Sequence, residues 1–298
     1  MMNYMSQASK MTGRRLPVVR ALLMMSALCA LSSASAASIL VTPERSSSMK
    51  TTIELPLQGV MLEYKDNVRL LQVLDDASAS GSIGYFPLLA QLFDKTNTES
   101  NKANEDIEAK KRNVFIQLDA FAVEEPEAKL VKQQLASFQY FNRVFIELDR
   151  NAVISQSDKN PLLVSRSNTN KPSSAAIKKA STSQTQRFSL YLPQRPTAIQ
   201  LMGAMKESVT MNLIEHGTLN DYLDALPNGF IGESADKSVA YVVQPDGVVQ
   251  TIQYAYWNEQ PVYLAPGAIV FMAFYSLPSE YSTLNQDIVD LLRHKVGL

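Results

Sequence analysis

The chain has 298 residues, and its 28 basic and 29 acidic side chains give a formal net charge of −1. Such a balance does not supply the basic surface that recognises nucleic acid, so a nucleic-acid partner is not expected. Hydrophobic residues make up 46% of the chain, which is the usual share for a globular protein with a core of its own.

The N-terminus predicts a secretory signal peptide over residues 1–36. It contains four basic residues, an apolar run at 21–31 and the small-residue motif Ala34-Ser35-Ala36, and we expect cleavage after Ala36. The apolar run is too short to span a bilayer, and no transmembrane span is predicted for the mature chain. Cleavage would leave residues 37–298 and change the net charge from −1 to −5.

The side chains with catalytic potential are few. The single cysteine, Cys29, lies inside the signal peptide, so the mature chain is expected to have neither a disulfide nor a thiol nucleophile. The two histidines, His216 and His294, are far apart in sequence and predict no metal site. The sequence lacks the phosphate-binding, dinucleotide-binding, serine hydrolase and zinc hydrolase motifs. We therefore predict no cofactor, no metal and no catalytic residue.

Residues 37–164 are predicted to form a first α+β domain. Alternating apolar residues at 51–57 and 59–64 predict a β-hairpin, and a short helix follows at 68–74. From 86 to 141 the apolar residues follow helical spacing in two stretches, separated by Glu124-Glu125-Pro126. This pattern predicts a helical hairpin inserted in the domain, with a strand at 144–148 after it.

Residues 165–186 are rich in Ser, Thr, Asn and Lys and are predicted to be a flexible linker. A second domain is predicted over 187–275, beginning with two strands, at 188–192 and 199–201, that are separated by a proline-rich turn. A helix at 218–226, a hairpin around Asp246-Gly247 and a last strand at 268–274 follow. A sheet crossed by one helix is the β-grasp arrangement.

Residues 276–298 predict a C-terminal amphipathic helix that begins at Thr283. Leu284, Ile288 and Leu292 share one side of this helix. At roughly 20 Å it would be shorter than the hydrocarbon core of a bilayer. Its apolar face would pack on its own domain or form a docking surface for a partner, and we favour packing.

Several short motifs occur in order along the last third of the chain. They are Gln194-Arg195-Pro196, Leu201-Met202-Gly203, Asp221-Tyr222-Leu223, Pro245-Asp246-Gly247, Trp257-Asn258, Pro266-Gly267, Leu277-Pro278, Tyr281, Leu284-Asn285, Ile288-Val289 and Leu292. Together they resemble the GfcC-like family of capsule polysaccharide biosynthesis proteins. Upstream the resemblance is limited to Tyr85-Phe86-Pro87, Asn142-Arg143 and Asp149.

This resemblance implies a soluble periplasmic protein with two β-grasp domains similar to periplasmic domains of the capsule export channel Wza. It implies a non-catalytic accessory role in assembly or export of a surface polysaccharide. The partners would be the polysaccharide itself or other capsule export and assembly proteins. Two alternatives stay open, namely an enzyme that modifies the polysaccharide and a component of the export channel.

The resemblance also points to Arg143, because the matching arginine of the family lies in a pocket. Arg143 follows the predicted helical insert and precedes a strand, where its five donors could enter a groove between the two domains. Independently, Tyr254, Tyr256 and Trp257 form an aromatic cluster in the sequence. Such rings contact sugars or partner proteins, but they also fill cores.

Overall fold

The computed structural model describes residues 50–81, 84–96, 103–165 and 185–297. The predicted signal peptide and nearly all of the predicted linker lie outside these residues. Within the described part of the chain, no helix is long and apolar enough to cross a membrane. The fold is mixed α+β, as predicted, and is built on two five-stranded sheets.

The first sheet is built from five strands that lie between Thr51 and Tyr191. In spatial order its strands are β2 (Val60–Tyr64), β1 (Thr51–Leu55), β5 (Gln186–Tyr191), β3 (Gln91–Asp94) and β4 (Asn142–Val144). Strands β1 and β2 form the predicted hairpin, with Ile53 opposite Leu62. Strand β5 lies at the centre, parallel to β1 and antiparallel to β3.

The second sheet has the same strand order and the same strand directions. In spatial order its strands are β7 (Val209–Asn212), β6 (Ala198–Gly203), β10 (Ile269–Phe274), β8 (Ala235–Val243) and β9 (Val249–Gln253). The first two strands in sequence form a hairpin, the first and last are parallel, and the other pairs are antiparallel. The chain therefore repeats one topology twice.

Six helices complete the described structure. They are α1 (Leu70–Ala79), α2 (Ala103–Phe121), α3 (Glu127–Ala136), α4 (Arg150–Ser155), α5 (Leu219–Asp224) and α6 (Leu284–Leu292). Helices α1 and α4 cover one face of the first sheet, where they bury Leu70, Leu74 and Val153 against Ile53 and Leu190. Helix α5 covers one face of the second sheet, and a capping box of Thr218 and Asp221 begins it.

Helices α2, α3 and α6 cover the opposite face of the second sheet. They bury residues such as Leu118, Leu135 and Ile288 against Phe271 and Met202. Gln134 fixes α3 to the end of β6, since its side-chain amide accepts from Gly203 N at 2.9 Å and donates to Gly203 O at 3.2 Å. The helical hairpin thus lies between β3 and β4 of the first sheet in sequence but packs on the second sheet.

The C-terminal helix α6 packs on its own chain. Leu284, Ile288 and Leu292 are all buried against the second sheet and α2. Asn285 adds a pair of hydrogen bonds to the backbone N and O of Phe274, which ties the helix start to the end of β10. The apolar face that the sequence left open between packing and docking is therefore covered from within the chain.

Three strand predictions are wrong, and each error has a physical reason. Strand β5 was predicted to form a hairpin with β6 and to open the second domain at 187, but it pairs with β1 and β3 in the first sheet. Strand β3 lies within the predicted insert 86–141, whose helical part spans 103–136. The strand predicted at 144–148 is shorter and earlier, at β4. Short strands have too few residues to show a period, and the partner of a strand is set by tertiary contacts.

Candidate functional site

Arg143 lies on β4, at the edge of the first sheet. The strand pairs with β3, where Arg143 is opposite Phe93. On the backbone side, Arg143 N donates to His294 Nδ1 at 3.2 Å, and Phe141 N donates to His294 O at 3.1 Å. The residues that follow α6 therefore hold β4 in place, so that the position of Arg143 depends on the end of the chain.

The guanidinium of Arg143 is almost completely buried, with 7% of the residue exposed. Its Nη2 donates to Pro245 O at 2.6 Å, at the start of the β8–β9 turn, and the ring of Phe145 lies 5.4 Å from its Cζ. Within the described residues, no carboxylate forms an ion pair with it. Burial lowers the pKa of Arg143 to about 10; the charge of Asp246 opposes this effect, and that of Arg293 adds to it.

Arg143 lines a cavity of about 550 Å³ at this edge of the sheet. The walls come from residues 86–90 and 143–149 and from Asp246 of the second sheet. This volume is in the range of small-molecule sites, which extends from about 300 to 1,000 Å³. Among the described residues, the guanidinium has one hydrogen-bond acceptor, Pro245 O, so it can still offer donors to an anionic group in the cavity.

The turn between β8 and β9 packs tightly against the cavity wall. A Cβ atom on Gly247 would lie 2.4 Å from Cε1 of Phe145, so only glycine fits this close approach, and its φ of +89° also favours glycine. Arg293 secures the turn, because its Nε donates to Gly247 O at 2.8 Å while its Cζ lies 4.6 Å from the ring of Phe145. Phe145 is thus in contact range of two guanidinium groups.

Three carboxylates also border the cavity, and each already accepts a hydrogen bond from the backbone. Glu147 Oε1 accepts from Asp149 N at 3.0 Å, Asp149 Oδ1 caps α4 by accepting from Asn151 N at 2.9 Å, and Asp246 Oδ1 accepts from Val248 N at 2.9 Å. The bond from Asp149 N is the main reason why the pKa of Glu147 is lowered. These bonds fix the carboxylates as part of the turn and helix geometry.

The structure separates the three predicted aromatic residues. Tyr254 is buried in the core of the second sheet, and its hydroxyl donates to Asp236 O, so its assignment as a ligand contact is wrong. Tyr256 and Trp257 lie at the tip of the loop after β9, with 96% and 75% of each residue exposed.

Several residues of the cavity were not singled out from the sequence. Phe145 and Asp246 line the cavity, and Arg293 contacts Phe145 beside it; the three come from separate parts of the chain, and only the fold brings them together. Pro245-Asp246-Gly247 was seen as a hairpin turn, and the requirement for glycine at 247 was the signal available in the sequence. Among the described residues, no group of three or more His, Cys, Asp or Glu side chains is placed to hold a metal ion.

Comparison with known proteins finds a family match in the last third of the chain. Residues 207–297 match the family described as capsule biosynthesis GfcC C-terminal. The C-terminal third of the chain is GfcC-like. The matched segment contains β7–β10, α5 and α6, and with them the Pro245-Asp246-Gly247 turn and Arg293. Arg143 lies outside it, so its correspondence to a family position rests on the resemblance around Asn142-Arg143.

A curated relative aligns with part of the chain. The chain is 29% identical over 111 residues to the uncharacterized protein YjbG of Escherichia coli (strain K12). The aligned part is 37% of this chain and 44% of that protein, so the two are compared over less than half of either. The link to capsule biosynthesis therefore comes from the family match over residues 207–297, which assigns no chemical step.

Proposed function

We propose that the protein is a non-catalytic periplasmic accessory factor in the assembly or export of a capsule polysaccharide. The GfcC-like segment supports the pathway. The predicted signal peptide supports the compartment. The repeated strand order supports two β-grasp modules of the kind found in Wza. In this account the protein acts by binding, and the Arg143 cavity is where it binds.

The buried guanidinium of Arg143 is the observation that carries the proposal. Burying a charge without a counter-charge is costly, and proteins usually pair such a group. Arg143 has instead one backbone acceptor and a cavity of about 550 Å³ beside it. A buried charge that stays unpaired beside a cavity, despite its cost in stability, is typical of a functional site. A carboxylate suits the remaining donors best, because guanidinium can hold both of its oxygens at once.

The three carboxylates at the cavity bear on the alternative of a polysaccharide-modifying enzyme. Glycoside hydrolysis needs one carboxyl with a raised pKa, which stays protonated, opposite a second that is ionised. The pKa of Glu147 is lowered, chiefly by the hydrogen bond from Asp149 N, so this carboxylate does not suit the role of the protonated acid. Binding therefore fits the site better than acid catalysis.

A complementation experiment tests this function. A capsule-producing strain that lacks the protein would receive the wild type, Arg143→Ala, Arg143→Lys, or Arg112→Ala, the last being an exposed arginine on α2 that serves as the control. We expect Arg143→Ala to restore no surface polysaccharide and Arg143→Lys to restore part, because lysine keeps the charge but loses the planar fork. Arg112→Ala should restore all of it. Full restoration by Arg143→Ala at normal expression would exclude the proposal.

A binding measurement then identifies the source of the carboxylate. Calorimetry with an oligosaccharide that contains uronic acid residues should show binding to the wild type and none to Arg143→Ala if the ligand is an acidic sugar. If the wild type does not bind the sugar but complementation still requires Arg143, the carboxylate belongs to a partner protein. A pull-down from membranes of a capsule-producing cell, with Arg143→Ala as the control bait, would then recover that partner.

A further inference from the structure

The loop between β9 and β10 exposes three large aromatic side chains. Tyr256, Trp257 and Tyr263 are 96%, 75% and 85% exposed, and Trp257 is the single tryptophan of the chain. Tryptophan and tyrosine have large apolar rings that proteins normally cover to a large extent. Three such rings exposed in one loop are typical of a surface that contacts another molecule.

The loop is held in a fixed shape. Gln260 N donates to Gln253 O at 3.0 Å and closes the base, while Asn258 N donates to Ala255 O at 2.9 Å and closes a turn. Tyr256 and Trp257 occupy the two central positions of that turn. Asn220 of α5 ties both sides of the base together, because its Nδ2 donates to Tyr254 O and to Glu259 Oε1, each at 3.0 Å. Such preorganisation lowers the entropic cost of ordering the loop when a ligand binds.

A shallow cleft of about 290 Å³ lies between this loop and β9. Gln250, Thr251 and Gln260 supply amide and hydroxyl groups to it, and Tyr263 supplies a ring. None of the side chains that line the cleft is charged. Amides and hydroxyls donate and accept hydrogen bonds, which matches the dual character of sugar hydroxyl groups.

We propose that this loop and cleft form a contact surface for uncharged sugar residues of a polysaccharide. The rings would cover the apolar C–H faces of the sugars, and the amides would bond to their hydroxyls. An anionic lipid surface fits poorly, because residues 254–266 contain no lysine or arginine and one acid, Glu259. The inference takes its source of sugar from the proposed function but does not depend on the Arg143 cavity.

The single tryptophan makes the test direct, because all tryptophan emission reports on the loop. The full mature protein would be titrated with neutral hexasaccharides of glucose, galactose, mannose and N-acetylglucosamine. It would also be titrated with surface polysaccharide purified from the cells that make the protein. We expect a blue shift of the emission and less quenching by acrylamide as sugar covers Trp257.

Variants show which residues make the contact. Tyr256→Ala and Tyr263→Ala should each weaken the apparent affinity by roughly 2- to 10-fold, the range that one aromatic contact provides. Tyr275→Ala is the matched control, since Tyr275 is 66% exposed at the opposite end of β10 and should leave the affinity unchanged. The neutral hexasaccharides have no carboxylate for the Arg143 cavity, so an absent emission change overturns this inference alone. Full complementation by Arg143→Ala overturns the proposed function alone, so the two failures are distinguishable.

Three results would overturn the inference. The first is an emission that no saccharide changes, including the purified polysaccharide. The second is a shift produced by anionic lipid vesicles or by a periplasmic protein but not by saccharides. The third is a sugar-dependent shift of equal affinity in Tyr256→Ala and Tyr263→Ala, which would place the sugar elsewhere.

Discussion

The two sheets share one strand order but differ in how their faces are covered. Both faces of the second sheet are apolar and buried, one under α5 and the other under α2, α3 and α6. In the first sheet one face carries an apolar core, whereas the other borders a polar cleft of about 770 Å³ whose lining includes the ion pairs Lys50–Glu63 and Lys95–Glu54.

The two halves therefore differ in how much they contribute to the apolar core. The second sheet, buried on both sides, supplies most of the apolar contacts that hold the structure together. The first sheet keeps polar surface and open edges, and it presents Arg143 at β4. The second sheet thus forms the larger apolar scaffold, whereas the edge of the first sheet borders the proposed Arg143 cavity.

The largest expected effect comes from uncovering the second sheet. Replacing Leu284, Ile288 and Leu292 by Asp removes three buried side chains from α6, each contributing roughly 1.5–3 kcal/mol, and places charges in their site. Urea unfolding should show a loss of more than about 5 kcal/mol, or no cooperative transition. A triple variant that melts like the wild type would mean that α6 does not stabilise this sheet.

A smaller effect is expected from the buried hydrogen bonds of Gln134. Gln134→Ala leaves Gly203 N without its acceptor in the second sheet, which should cost roughly 1–3 kcal/mol of unfolding free energy. Ser189→Ala is the matched change in the first sheet, where the buried hydroxyl has no hydrogen-bond partner among the described residues, and it should cost nothing measurable. Equal losses of unfolding free energy in the two variants would show that the hydrogen bonds of Gln134 do not stabilise the second sheet.

The contact between the two halves should depend on pH through His294. Burial, with the charges of Lys110, Arg293 and Arg143, lowers the pKa of His294 from 6.5 to about 4. Between pH 6.5 and 4, His294 is therefore protonated in the unfolded chain but neutral in the folded protein. The free energy of unfolding should fall by roughly 1 kcal/mol for each pH unit over this range. Above pH 6.5 this contribution is fully present.

Two variants isolate this titration from that of the carboxylates. His294→Asn keeps an acceptor for Arg143 N without a titrating ring, so its unfolding free energy should fall less steeply with pH than that of the wild type. His216→Asn removes the other histidine, which is exposed, and should leave the wild-type slope unchanged. Identical slopes in all three proteins would show that His294 does not resist protonation in the fold.

Local patterns in the sequence predicted those elements whose own residues carry a strong period or a defined turn. The hairpin at Asp246-Gly247, helix α5 with its capping box and the amphipathic α6 are of this kind. Strand β5 was assigned to the wrong sheet because its alternation is equally compatible with a hairpin to β6. Its actual partner, β1, lies more than 130 residues earlier in the chain, and no local signal encodes such a pairing.

The candidate site was predictable only in part. Arg143 was named from a resemblance around two residues, and its burial could not be inferred from them. The contacts that define its surroundings join residues 102 and 151 positions apart, at Pro245 and His294. The exposure of Trp257 was also not predictable, because the same residue type fills cores more often than it covers surfaces.

The stability of Arg143→Met tests the central claim most directly, since the claim is that the fold does not need this charge. Methionine keeps the length and apolar stem, and the backbone bond to His294 is unaffected. Methionine leaves Pro245 O without its donor, which costs roughly 1–3 kcal/mol, but it also removes an unpaired buried charge. Because these effects offset each other, we predict an unfolding free energy within about 1 kcal/mol of the wild type. A loss of roughly 3–5 kcal/mol would mean that Arg143 belongs to a structural charge pair, and it would contradict the assignment of this cavity as the binding site.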